Sequence, residues 1–235
     1  MDTDTDGNTD GMEPLTIEVV SDVVCPWCYI GKRRLEAALE LYARACPGAP
    51  APNVSFHPFQ LNPDLPPEGM PRADYVARKW GGRSSADVYA RVSGVGSTVG
   101  IDFSFDRILR QPNTKAAHAL IALAAELGVQ PEVKEAMMRA YFIDGRDLTD
   151  IDTLVAVAEV EGLDPQRARA HLADPEALRA IDDADLQARR MGVEGVPFFI
   201  FNRRYAVSGA QEAQTLVDAM IASTKPDDTE PAQPA

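Results

Sequence analysis

Apolar and polar positions alternate along Thr16-Ile17-Glu18-Val19-Val20, which predicts a strand. From Lys32 to Arg44 the period lengthens, and Leu35, Ala38, Leu39 and Tyr42 share one face of a helix. Cys46 falls where that helix gives out, at the start of a Pro/Gly-rich connection. Val54 to Leu61 alternates again and reads as a second strand, parallel to the first because a helix joins them. Pro58 suits the edge or end of such a strand.

From Asn62 to Pro71 the prolines at 63, 66, 67 and 71 predict a linker, and beyond it the periodicity is helical as far as Met191. Arg72 to Trp80 is a short helix stopped by Gly81-Gly82. Ser84-Ser85 caps the next, which carries Val88, Val92 and Val95. Ile101, Phe103 and Phe105 alternate in an extended stretch. Asn113 or Thr114 opens an amphipathic helix through Ala116, Leu120, Leu123, Ala124 and Leu127, closed by Gly128. Pro131 starts another through Val133, Met137, Ala140 and Tyr141, with Met137-Met138 as core filling. Asp150 or Asp152 caps a helix to Gly162, and Asp164-Pro165 and Asp174-Pro175 begin two more.

Strand character returns over Gly195 to Phe201 and again over Tyr205 to Val207, which reads as a hairpin, and Gln211 to Ile221 is a closing helix. The fold class is therefore α/β, one sheet assembled from distant pieces of chain around a long all-helical insertion. The sheet domain is discontinuous, 14–65 and 192–223, and the helical insertion spans 66–191.

Composition sharpens this picture. The 235-residue chain is 45% hydrophobic, enough to fill a core, and its net charge of -13 argues against nucleic acid or an anionic membrane as partner. Part of that charge lies in two tails, 1–13 and 224–235, whose acidic and polar residues have nothing to bury and are expected to be disordered. No stretch approaches the ~18 consecutive apolar residues of a membrane span. The N-terminus has no basic region followed by an apolar run, so the expected location is cytoplasmic.

The candidate chemistry lies between the first strand and the first helix. Two of three cysteines, Cys25 and Cys28, stand three residues apart in Cys25-Pro26-Trp27-Cys28. Pro26 suits the first helical position, which places Cys25 at the cap, beneath unpaired backbone N–H groups and the positive end of the helix dipole. Both favour a thiolate. Cys28, one turn in, can attack a mixed disulfide formed at Cys25. A structural zinc site needs four ligands, and Cys46, His57, His118 and His171 show no ligand spacing, so no metal is expected. Cys46 reads as non-catalytic and His57 as a surface or hydrogen-bonded residue.

The chain resembles the DsbA family of thioredoxin-fold oxidoreductases, and within it the cytosolic FrnE-like branch. The resemblance is carried by Ser21-Asp22-Val23-Val24-Cys25-Pro26-Trp27-Cys28, Phe59-Gln60-Leu61-Asn62-Pro63, Asn113-Thr114 with His118, and Gly195-Val196-Pro197-Phe198-Phe199 followed by Ser208-Gly209-Ala210-Gln211. It implies a thioredoxin-like fold. It also implies a cis Pro197 facing the dithiol, with the Val196 backbone offered to an extended substrate. Asn113, Thr114 and His118 resemble a family motif facing the active site; from the residues alone they equally read as a helix cap and a surface histidine.

The reaction expected is thiol–disulfide exchange or disulfide isomerisation on protein or small-molecule thiols, with Cys25 as nucleophile, Cys28 as resolving thiol, and Pro26 and Trp27 tuning the pair. No cofactor is expected beyond the redox-active disulfide, with glutathione open as reductant or co-substrate. The protein would be a monomer or homodimer. In a cytosol that keeps thiols reduced, reduction or isomerisation is favoured over dedicated oxidation. Two alternatives stand beside this. Kappa-type glutathione transferases and 2-hydroxychromene-2-carboxylate isomerases share the resemblance but typically carry serine where Cys25 stands, which leaves a glutathione-dependent isomerase or transferase acting on a small aromatic substrate. The other is a redox-switched chaperone or interaction module.

Overall fold

The computed structural model describes residues 13–81 and 86–225. The two expected disordered tails fall almost entirely outside these residues, as does the Ser84-Ser85 cap. Strand β1 (Thr16–Ser21) leads through helix α1 (Pro26–Ala45) to β2 (Asn53–Pro58). Two-residue strands β3 (Met70–Pro71) and β4 (Arg110–Gln111) flank α2 (Arg72–Trp80) and α3 (Ala86–Thr98). Helices α4 (Lys115–Ala125), α5 (Gln130–Phe142), α6 (Ile151–Val160), α7 (Pro165–Ala173) and α8 (Pro175–Arg190) follow in succession. The chain closes with β5 (Phe198–Phe201), β6 (Tyr205–Ser208) and α9 (Ala213–Thr224).

The main sheet has the order β2-β1-β5-β6. β1 is parallel to β2 and antiparallel to β5, and β5 and β6 form an antiparallel hairpin. Strand periodicity explains both faces. Ile17 opposes Phe201 and Val19 opposes Phe199; with Phe56 these side chains pack against Leu35, Ala38 and Tyr42 of α1 and Leu216, Val217 and Met220 of α9. Val20 and its partner Phe198 point the other way, toward Phe59, Ala188 and Val193. In the hairpin turn Asn202 and Arg203 both take positive φ, 49° and 55°, as the tight turn requires.

A second, larger core lies among the helices, where Leu120, Met137, Met138, Tyr141 and Phe142 are buried with Leu154 and Ala158. Helix α1 belongs to both cores: Cys28, Tyr29 and Ile30 of its first turns join the helical cluster, and its later turns join the sheet. The N-terminus of α1 is thereby fixed at the seam. Charges reinforce the seam: Glu135 of α5 accepts a 2.6 Å hydrogen bond from Tyr29, lies 2.9 Å from Lys32, and pairs with Arg33.

Several expected boundaries shift for identifiable reasons. The second strand stops at Pro58 instead of Leu61: Phe59 N–H still reaches the Ser21 carbonyl (3.3 Å), but side-chain carboxylates capture the amides beyond it, Gln60 N–H donating to Asp185 Oδ1 (2.7 Å) and Leu61 N–H to Asp22 Oδ2 (2.8 Å). The stretch through Ile101, Phe103 and Phe105 is irregular and ends in a 3₁₀ turn, Phe105–Arg107. Its aromatic rings stack on one another, with Phe103 and Phe105 centroids 5.0 Å apart, in place of pairing with a strand. The proline-rich linker ends in β3, which pairs with β4; two residues are too few to show a period. β5 begins at Phe198, three residues later than expected, and α9 at Ala213, two later. The cap of α6 is Asp150, whose carboxylate accepts from the Asp152 and Thr153 amides.

Candidate functional site

Cys25 is the N-cap of α1, with extended backbone (φ -94°, ψ 112°) and Pro26 behind it at the first helical position. Both sulfurs are free thiols; Cys25 is 5% and Cys28 2% exposed. The Cys25 thiol donates to the Val196 carbonyl at 3.6 Å. The Val196–Pro197 bond is cis, and the Pro197 carbonyl accepts from Gly209 N–H at 2.8 Å, which anchors this loop to the end of β6. Gly31 of α1 permits the approach: a Cβ there would lie 2.8 Å from Pro197 Cγ. Trp27 packs, half-buried, against the helical core.

The two thiols are electrostatically unlike. Cys25 is held below the ordinary thiol value, first by the hydrogen bond from the Cys28 thiol and then by the Cys28 and Trp27 amides at the helix start; burial and the Asp22 charge oppose this. The helix terminus acts as expected, but a neighbouring donor contributes more. Cys28 is pushed well above the ordinary value, mainly by burial, then by donating to Cys25 and by the charge there. The arrangement has a direct test. Cys28→Ala removes the donor that Cys28→Ser retains, so thiolate absorbance titrations are expected to place Cys25 higher in the alanine variant; equal midpoints would show that the helix terminus alone sets the value.

Beneath the cysteines lies a buried polar cluster. Asp22, inaccessible to solvent, accepts the Cys25 amide at its carbonyl (3.2 Å), and its Oδ1 lies 3.2 Å from His118 Nε2. Its Oδ2 accepts the Leu61 amide. His118 is 3% exposed, so the surface-histidine reading does not hold: the Asn113-Thr114 start places it one turn into α4, against Asp22 just beyond β1. Burial, aided by the Lys134 charge, lowers its pKa despite Asp22. Thr114 is the buried N-cap, without a side-chain capping bond. Asn113 instead donates to the Leu65 carbonyl (2.6 Å) and accepts the Lys115 amide, and so joins the proline-rich connection to α4. Neither Asn113 nor Thr114 makes a hydrogen bond to the cysteines.

Lys134 of α5, 1% exposed, completes the cluster with Nζ 3.4 Å from the Ser21 carbonyl. Neither Asp22 nor Lys134 stood out as a site residue in the sequence. The signal for Lys134 is its helical spacing from Gln130, Met137, Met138 and Tyr141, all buried on α5. His57 is exposed and 3.2 Å from Ser55 Oγ, lining a surface cavity of about 680 Å³ that holds neither cysteine. A second cleft, about 490 Å³, runs from Leu61 to Leu65 and is bounded by Tyr75, Arg78 and Lys79. Among the described residues no helix is long and apolar enough to cross a membrane.

Comparison with known proteins agrees with this geometry. Residues 16–221 match the family model described as a DSBA-like thioredoxin domain. The chain is similar to the uncharacterized protein YwbO of Bacillus subtilis (strain 168), 27% identical over 189 residues, covering 78% of this chain and 85% of YwbO. Among solved structures, a probable DsbA oxidoreductase from Streptomyces coelicolor is 31% identical, with 94% of each chain covered and a TM-score of 0.80. The fold is shared with the cytosolic disulfide reductase DsbM from Pseudomonas aeruginosa, determined with GSH (19% identity, 88% and 95% covered, TM-score 0.52). The chain belongs to the DSBA-like thioredoxin domain family.

Proposed function

We propose that this protein is a thiol–disulfide oxidoreductase and disulfide isomerase in which Cys25 is the nucleophile and Cys28 the resolving thiol. The observation that carries the reading is the asymmetry of the pair: Cys25 lowered at a helix N-terminus beside the Val196 carbonyl, Cys28 raised one turn below. The Cys25 thiolate attacks one sulfur of a substrate disulfide, forms a mixed disulfide and releases the other sulfur as a thiolate. Cys28, once deprotonated, attacks Cys25 Sγ, releases the second substrate thiolate and leaves the Cys25–Cys28 disulfide. Two electrons pass from the dithiol to the substrate. When a thiolate of the substrate attacks the mixed disulfide first, the substrate is rearranged and the dithiol returns unchanged.

Pro26 and Trp27 restrict solvent at the pair, and the Val196–Pro197 loop supplies backbone groups that an extended substrate can meet. Reduced glutathione serves as the reductant that regenerates the dithiol in the cytoplasm. The GSH found with DsbM supports that choice.

Mass spectrometry after mixing with glutathione disulfide checks the reading. Cys28→Ser is expected to accumulate a glutathione adduct mapped to Cys25, while the parent passes through the adduct to an internal disulfide. An adduct on Cys46, or none, refutes the assignment. A glutathione-dependent transferase would instead retain its activity in Cys25→Ser.

A further inference from the structure

The cleft of about 490 Å³ beside α2 opens at the same edge of the sheet as the dithiol. β1 and β2 are parallel and end level, Ser21 opposite Pro58, so the chain leaving β1 reaches Cys25 in four residues and the chain leaving β2 reaches Leu61, on the wall of the cleft, in three. Asp22 ties the two segments together: its carbonyl accepts the Cys25 amide (3.2 Å) and its Oδ2 the Leu61 amide (2.8 Å). A turn closed in this way spans less than about 7 Å. With one further side-chain hydrogen bond to Leu61, the cleft begins within the reach of about four extended residues from Cys25. The carboxyl ends of its strands are where an open α/β sheet takes its ligands.

The two walls differ in kind. Leu61, 38% exposed, stands with Leu65 and Met70 as the apolar side. The α2 side is cationic. Arg78 is exposed and, among the described residues, forms no ion pair, although Asp74 stands one turn before it and Asp64 lines the cleft. Lys79 donates to the Tyr75 hydroxyl (3.0 Å) with its Nζ 5.3 Å from the ring centroid. Arg72 approaches the same ring at 5.2 Å and donates to Tyr89 (2.7 Å) and Gln111, both neutral. On a protein of net charge -13, three cations on the helix beside a cleft with one carboxylate are a local reversal of sign. We propose that this cleft seats the segment flanking the disulfide of a protein substrate: an extended peptide with an apolar side chain against Leu61 and Leu65 and, within about four residues of the attacked cysteine, a carboxylate that meets Arg78. The inference rests on the exchange reading given above and adds a substrate preference to it. The charge of the whole protein attracts basic peptides, whereas the cleft selects acidic ones. That opposition makes the two effects separable.

Two peptide disulfides provide the test, identical except for Glu or Lys about four residues to either side of the cysteine, with a leucine between. The second-order rate constant for reduction of each by the reduced protein gives a preference, a ratio that loss of folded protein does not move. The parent is expected to reduce the Glu peptide about fivefold faster than the Lys peptide at low ionic strength, the upper end for an exposed ion pair. The difference should close at about 1 M salt, where the screening length is about 3 Å. Arg78→Glu should reverse the preference. Arg169→Glu, an equal change of net charge on α7 at a side chain paired with Asp152, should keep it. A parent that favours the Lys peptide or neither, a parental preference in Arg78→Glu, or an equal shift in both variants overturns the proposal and leaves the exchange reading standing. If the parent reduces neither peptide, the exchange reading itself fails and the role of the cleft goes with it.

Discussion

Replacing Cys25 with serine is expected to lower insulin-reducing turnover by on the order of 10⁶-fold, the scale of loss when a covalent nucleophile is removed. The hydroxyl keeps the size of the side chain and can still donate to the Val196 carbonyl, so the fold should survive and the loss should be chemical. Cys28→Ser should lose turnover too, but retain the first, adduct-forming step, since Cys25 keeps its place at the cap and a hydroxyl donor remains beside it. The two variants therefore separate attack from resolution. Insulin reduction by Cys25→Ser within tenfold of the parent would exclude Cys25 as nucleophile.

Gly31→Ala is expected to impair both stability and exchange. An alanine Cβ at 31 would stand 2.8 Å from Pro197 Cγ and 3.2 Å from Phe199 Cζ. The proline ring is a poor candidate to give way, because its carbonyl is tied to Gly209 and the preceding carbonyl receives the Cys25 thiol. Helix propensity favours alanine by about 1 kcal/mol, against about 1–3 kcal/mol for overpacking. The second outweighs the first, and a net loss of about 1 kcal/mol in urea denaturation is expected. Displacing the Val196–Pro197 loop by a fraction of an ångström to an ångström should slow adduct formation by on the order of 100-fold. A variant more stable than the parent and equally active would mean that this contact yields freely.

The local features of the site were legible because their causes are local. Pro26 and the apolar face beginning after it mark the start of α1, which alone suffices to put Cys25 at a cap with Cys28 one turn in. The parallel pairing of β1 and β2 follows from the helix between them, and the hairpin from the Asn202-Arg203-Arg204 interruption. Val196–Pro197 was legible only through resemblance; nothing in its own neighbourhood says that it meets a cysteine 171 residues away. The polar cluster was missed for a related reason. Asp22 meets His118 across 96 residues and Lys134 meets the Ser21 carbonyl across 113, so neither pairing leaves a periodic trace. The early end of β2 has the same origin, since Asp185 and Asp22 take its amides from elsewhere in the chain.

By itself the sequence determined the dithiol, its place where a strand gives way to a helix, and the succession of helices between β2 and β5, because hydrophobic period, proline and capping residues act within a turn or two of where they stand. Only the tertiary structure decided how the two thiols differ. That depends on how deeply α1 is buried between two cores, on Cys28 donating to Cys25, and on the charges of Asp22 and Lys134 brought beneath them. Burial and through-space charge depend on distances between residues far apart in the chain, and those distances exist only once the sheet and the helices have closed around the site.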